Sequence, residues 1–185
     1  MKAIRAIQDQ ARIEEKTYIE ACQSVASGVT AAFETAIKSG RLTETDLFDT
    51  RYAPIAGTDP QQFMAKHTSL TDEVVHQYTE AVLEQDQRAV ICCVADRNGY
   101  IATHNKKYSQ PQRPDDRLWN VVNSRNRRIF DDRAGLVAAR NTNPAYVQTY
   151  PRDMGGGNFI LLKEFDAPIT VRGRHWGCVR LAIKP

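Results

Sequence analysis

Over the first forty residues, apolar side chains return every three or four positions: Ile4, Ile7, Ala11, Tyr18, Cys22, Val25, Val29, Ala32 or Phe33, and Ile37. That spacing predicts one long helix. Gly40, after Lys38 and Ser39, is its expected stop. Such a helix either pairs with a copy of itself or packs on its own domain, and the pattern allows both. Thr43 with Asp46 predicts a short capped turn. RYAPIAGT, residues 51–58, reads as extended loop because Pro54 disfavours helix before it. Asp59-Pro60 then predicts a helix start, a capping residue followed by proline at the first position. Phe63, His67, Leu70, Val74, Tyr78 and Val82 supply its apolar face, with a break near residues 69–71. His67 reads as a packed histidine.

The period then changes. Ala89–Ala95 is an uncharged run suited to a strand buried on both faces. Asn98-Gly99 predicts a tight type I′ turn, and Tyr100–His104 the returning strand. Residues 105–114 are polar with two prolines and read as loop. Asp115 or Asp116 caps a short helix carrying Leu118, Trp119, Val121 and Val122, with Trp119 expected in the core. Residues 125–143 read as irregular, with short helical turns at most. Residues 145–152, 158–171 and 175–183 alternate as strands, the second bent or at an edge near Pro168. Trp176 is expected in the core. The order predicts an α+β domain: a five-stranded antiparallel sheet, a helical crossover on one face and the N-terminal helix on the other. Residues 1–41 form the helix and 42–185 the domain.

Composition narrows the function. No run approaches the ~18 apolar residues of a membrane span, and the first ten residues lack the apolar block of a signal peptide. Cys22, Cys92, Cys93 and Cys178 form no CxxC or zinc spacing and read as small core residues, favouring a reducing, cytoplasmic compartment. The net charge of +3 hides an imbalance: residues 1–90 carry 9 basic and 14 acidic side chains, the remainder 16 and 8. From Arg113 to Arg152 there are eight arginines and no lysine. Arginine suits bidentate contact with carboxylates or phosphates; no nucleic-acid motif accompanies it. No nucleophile elbow, useful carboxylate pair or metal motif is present, so an enzyme is not expected.

Several motifs, in order, resemble the sensory module of bacterial methyl-accepting chemotaxis proteins. They are RYAPIAGTDPQQF, DRNGY followed by THN, NRRIFDDRAGL, ARNT, QTYPRDMGGG and API–VRGRHWGCVRLA, spanning about residues 42–184. The resemblance implies a Cache/PAS-like domain with sheet order 2-1-5-4-3 and a ligand pocket between the sheet and the crossover. It also implies chemotaxis signalling partners if the chain is part of a longer receptor.

The residues expected around that pocket are Arg125, Arg127, Arg128, Asp132 and Arg140 of the crossover, Tyr146 and Tyr150 on one strand face, and His104. The guanidiniums would hold a small anion. The alternative reading makes Arg127, Arg128, Asp131 and Asp132 a structural ion network. No cofactor is expected. Haem remains the alternative, because related sensors hold it through a histidine and His67, His76, His104 and His175 are the candidates. A scaffold with a filled core is the third reading. A homodimer through the N-terminal helix completes the expectation.

Overall fold

A computed structural model describes residues 2–185; the side chains of residues 2, 3 and 5–7, Ile7 among them, lie outside the described residues. Helix α1 spans Lys2–Lys38, about 55 Å at 1.5 Å per residue. From Tyr18 onward one side is buried, through Cys22, Val25, Val29, Phe33 and Ala36. Residues 8–13 are exposed at every position. Gly40 adopts φ 75°, and the Arg41 N–H returns to the Ala36 carbonyl at 2.9 Å. The glycine stop is therefore where the sequence predicts it. Thr43 Oγ1 accepts from the Asp46 N–H at 3.0 Å and opens α2, Glu44–Leu47.

Asp59-Pro60 does not open a helix. Its peptide bond is cis, and the flanking residues form a small hairpin of β1, Ala53–Pro54, and β2, Phe63–Met64. The Gln62 N–H donates to Thr58 Oγ1 at 2.9 Å, and the Phe63 N–H donates to the Arg127 carbonyl at 2.7 Å. The Phe63 N–H, which a helix capped by Asp59 would turn inward, is thus committed to the crossover. Helix begins only at Thr68, as α3, Thr68–Val74, and α4, His76–Gln85.

The main sheet has four antiparallel strands, not five. They are β3, Ala89–Asp96; β6, Tyr146–Asp153; β7, Phe159–Val171; and β8, Arg174–Ile183. Their order is β3-β8-β7-β6. The segment expected as a fifth strand leaves the sheet. Only β4, Tyr100–Ile101, is extended, and it pairs with β5, Arg128–Ile129, from the crossover.

The cause is local. The type I′ turn is absent: Gly99 takes φ 80°, whereas Asn98 does not have positive φ. The Asp96 carboxylate instead accepts from the N–H groups of Asn98 at 2.9 Å and Tyr100 at 3.1 Å. The Phe130 N–H then takes the Gly99 carbonyl at 2.8 Å. On the edge of β3 that a fifth strand would cover, the Cys92 N–H donates to Asn105 Oδ1 at 2.9 Å.

Two apolar clusters occupy the two faces of the sheet. Cys92, Phe165, Trp176, Val179 and Leu181 pack with α1. Cys93, Leu162, Cys178 and Ala182 pack with the crossover. Adjacent Cys92 and Cys93 thus face opposite ways, as strand geometry requires. The crossover contains α5, Arg117–Asn123, capped by Asp116, then β5, then α6, Arg133–Arg140, capped by Asp132. Helix α6 was not expected in a stretch read as irregular. Trp119 is half-buried rather than core, with the Arg113 guanidinium 3.8 Å from its ring centre. Trp176 is buried, and its indole N–H donates to the Leu47 carbonyl at 2.9 Å.

Candidate anion-binding cavity

Between β6 and the crossover lies a cavity of about 700 Å³, within the range of small-molecule sites. Alternation along β6 puts Tyr146, Gln148, Tyr150 and Arg152 on the cavity side. Phe130 forms part of the opposite wall. A Cβ placed on either Gly99 or Gly135 would come within 2.2 Å of the Phe130 carbonyl. Both residues must be glycine for this segment to lie so close to the hairpin and α6. The Phe130 ring then receives the guanidiniums of Arg125 and Arg128, 4.8 Å and 4.9 Å from its centre.

The charge of the cavity is unbalanced. Arg125 and Arg152 are 8% and 2% exposed. Among the described residues, neither they nor Arg128 form an ion pair. Arg125 Nη1 donates to the Val121 carbonyl at 3.0 Å, in the last turn of α5. Arg128 Nη1 reaches the same oxygen at 3.4 Å. Carbonyls there lack helical partners, and the helix end favours cations. Arg152 Nη1 donates to the Tyr108 hydroxyl at 3.2 Å, with its guanidinium 4.3 Å from that ring's centre.

Arg125 Nε, Arg152 Nε and Arg152 Nη2 are buried without an acceptor. Burying a cation unpaired is costly. Burial, with the neighbouring charges of Arg152 and Arg128, pushes Arg125 down to about 9. Burial and then Arg117 push Arg128 down to about 10. Burial alone would raise Tyr108, but the hydrogen bond and charge of Arg152 outweigh it and lower the phenol.

Arg180 is compensated. Arg180 Nη2 donates to both Glu164 oxygens, at 3.0 and 2.9 Å. Burial would lower Arg180, but Glu164 outweighs it. Gln148 Nε2 donates to Glu164 Oε1 at 2.9 Å and to the Ala134 carbonyl at 3.1 Å, tying β6 to β7 and α6. Burial and then the charge of Glu164 push Asp166 well above the usual carboxylate range.

Five of the eight expected site residues line the cavity: Arg125, Arg128, Asp132, Tyr146 and Tyr150. Asp132 also has a structural task, since its Oδ1 accepts from the Gly135 N–H at 3.0 Å. The other three lie elsewhere. Arg127 Nη2 donates to Asp72 Oδ2 at 2.6 Å, and its left-handed backbone, φ 58°, joins β4 to β2. It is a fastening between helix and hairpin, and its ion partner is Asp72 rather than Asp131 or Asp132. Arg140 is exposed and reaches the Arg97 carbonyl at 3.4 Å. His104 is buried outside the cavity lining, with Nδ1 accepting from the Asn105 N–H at 2.7 Å. Burial and then Arg125 push it well below its ordinary value.

Arg152, Gln148 and Arg180 were not expected in the site. The first two share the strand face of Tyr146 and Tyr150, so the same period of two would have found them. Arg180 carried no such signal.

The cavity does not fit a haem held through histidine, because none of the four histidines lines it. His67 is packed between the rings of Tyr100 and Trp176. His175 Nε2 lies 2.8 Å from the Ala139 carbonyl, and His76 Nε2 lies 2.9 Å from the His104 carbonyl. Among the described residues, no cluster suits a metal ion, and no helix is long and apolar enough to cross a membrane. No family model matches the chain, and no curated protein matches its sequence.

Proposed function

We propose that the chain is a ligand-sensing domain of the chemotaxis receptor type, Cache/PAS-like in fold, that binds a small anion between its sheet and crossover. One observation carries this reading: two arginines with buried guanidinium atoms and no carboxylate partners line a cavity of about 700 Å³. Such an arrangement is costly when empty and relieved by an anion. The strand order β3-β8-β7-β6 supports the fold part, since it reproduces four consecutive strands of the implied order.

The route to α1 is short. Glu164 faces the cavity arginines, and its neighbour Phe165 faces α1. Tyr18 of α1 stacks on Phe165 with ring centres 5.1 Å apart. Cys22 Sγ donates to the Phe165 carbonyl at 3.3 Å. A ligand that shifts the Arg180–Glu164 pair thereby biases the position of α1, which is a population shift between two arrangements. The exposed residues 8–13 of α1 provide a surface for a second copy, making a homodimer the signalling unit.

A thermal-shift panel of organic acids, phosphates and neutral analogues tests the reading. Anions raise the melting temperature and neutral analogues do not, and Arg128→Ala weakens the response while the unliganded protein stays folded. Stabilisation by neutral compounds alone would overturn it.

A further inference from the structure

Arg125 and Arg152, the two buried arginines without ion pairs, are presented alike. In each, Nη1 is held by the protein, on the Val121 carbonyl for Arg125 and on the Tyr108 hydroxyl for Arg152. Each plane is also held against an aromatic ring, Phe130 or Tyr108. The side bearing Nε and Nη2 is left over. Arg152 has both of these atoms without acceptors, and Arg125 has Nε without one. The Nε–Nη2 edge is a two-donor fork that matches two oxygens of one carboxylate or phosphoryl group.

The charges also sum in one direction. Arg180 is neutralised by Glu164, so two buried positive charges remain. Asp131, Asp132 and Asp153 line the cavity but are exposed at its rim. A monoanion would occupy one fork and leave the other cation buried and unpaired.

We propose that the cavity selects a small dianion offering two pairs of acceptor oxygens, as a phosphate monoester or a short dicarboxylate does. The proposal rests on the anion-sensing reading above and narrows it. Arg125 and Arg152 each take one pair of oxygens. Arg128, more exposed than either, adds attraction without completing a fork.

Isothermal titration calorimetry on the full chain, at neutral pH and constant ionic strength, decides the matter with inorganic phosphate, succinate, acetate and propionate. Phosphate or succinate binds about tenfold or more tightly than either monoanion. Which of the two binds better separates a phosphoryl group from paired carboxylates. Arg152→Lys and Arg125→Lys keep the charge but lack the fork, and each removes most of the preference for the dianion. Equal affinity for monoanions and dianions would overturn the proposal and leave the anion cavity standing. A preference that survives both lysine variants would overturn it too. Binding of none of the four would remove both readings. If a variant fails to fold, the comparison on the unaltered protein still decides.

Discussion

His67 is fully buried with neither ring nitrogen hydrogen-bonded. Burial pushes it from 6.5 down to about 4. The unfolded chain therefore takes up a proton near pH 6.5 that the folded chain refuses until about pH 4. Stability from this group is present above 6.5 and falls as the pH drops towards 4, by roughly 3 kcal/mol in full. Asp166, raised by burial, acts in the opposite sense, so the effect must be read as a difference. His104, also lowered, acts in the same sense as His67; His67→Phe removes the His67 contribution alone and makes the decline less steep. Urea unfolding of both proteins between pH 4 and 7 measures it, and parallel curves would refute the assignment. His67 was legible as a packed side chain because it fell in an apolar run. Its missing hydrogen bonds were not, since they depend on Tyr100 and Trp176, which approach from distant parts of the chain.

Among the elements, α6 shows how a cap and a ligand group can be confused. Asp132 lines the cavity, yet its carboxylate already serves the first turn of the helix. Asp132→Ala lowers stability by about 1 kcal/mol, as loss of an N-cap does, and leaves anion affinity nearly unchanged. Chemical denaturation and calorimetry on the same variant separate the two, and a large loss of affinity would return Asp132 to the binding set. The stop of α1, the cap of α2 and the strands β6 to β8 were readable because their signals are local: a left-handed glycine, a threonine oxygen, a period of two. The fate of residues 98–104 was not. The departure of β4 from the sheet is decided by Phe130 and Arg127, about thirty residues on, which offer the backbone partners that β3 does not. The same reach explains Arg127, whose place in a charged run suggested a ligand contact but whose partner, Asp72, lies on α3.

Across the whole molecule, α1 has two characters. From Tyr18 it is part of the core. Over residues 8–13 it is exposed at every position, and Ile4 and Ile13 are each about three-fifths exposed. A helical segment without tertiary contacts is marginal in water, and the proposed homodimer supplies the missing contacts. Deleting residues 1–12 is expected to convert dimer to monomer in sedimentation experiments while changing the melting temperature little. It leaves the Glu14–Arg88 and Glu15–Lys163 pairs in place. A dimer that persists would locate the interface elsewhere. The overall layering was predictable from the order of helix, hairpin, crossover and strands. Which arginines face inward was not, because the run Arg113–Arg152 sends some to the surface and others to the interior according to contacts made by the folded chain.

The strand that carries Tyr150 and Arg152 stands at the end of the ladder, bonded to β7 alone. Every other long strand is hemmed in on both sides or covered. With no ladder partner on its outer backbone edge, β6 is held to the crossover by side chains, Gln148 on the Ala134 carbonyl and Arg152 on the Tyr108 hydroxyl. A guest gripping Arg125 and Arg152 together, as proposed above, would add a further clasp between strand and crossover.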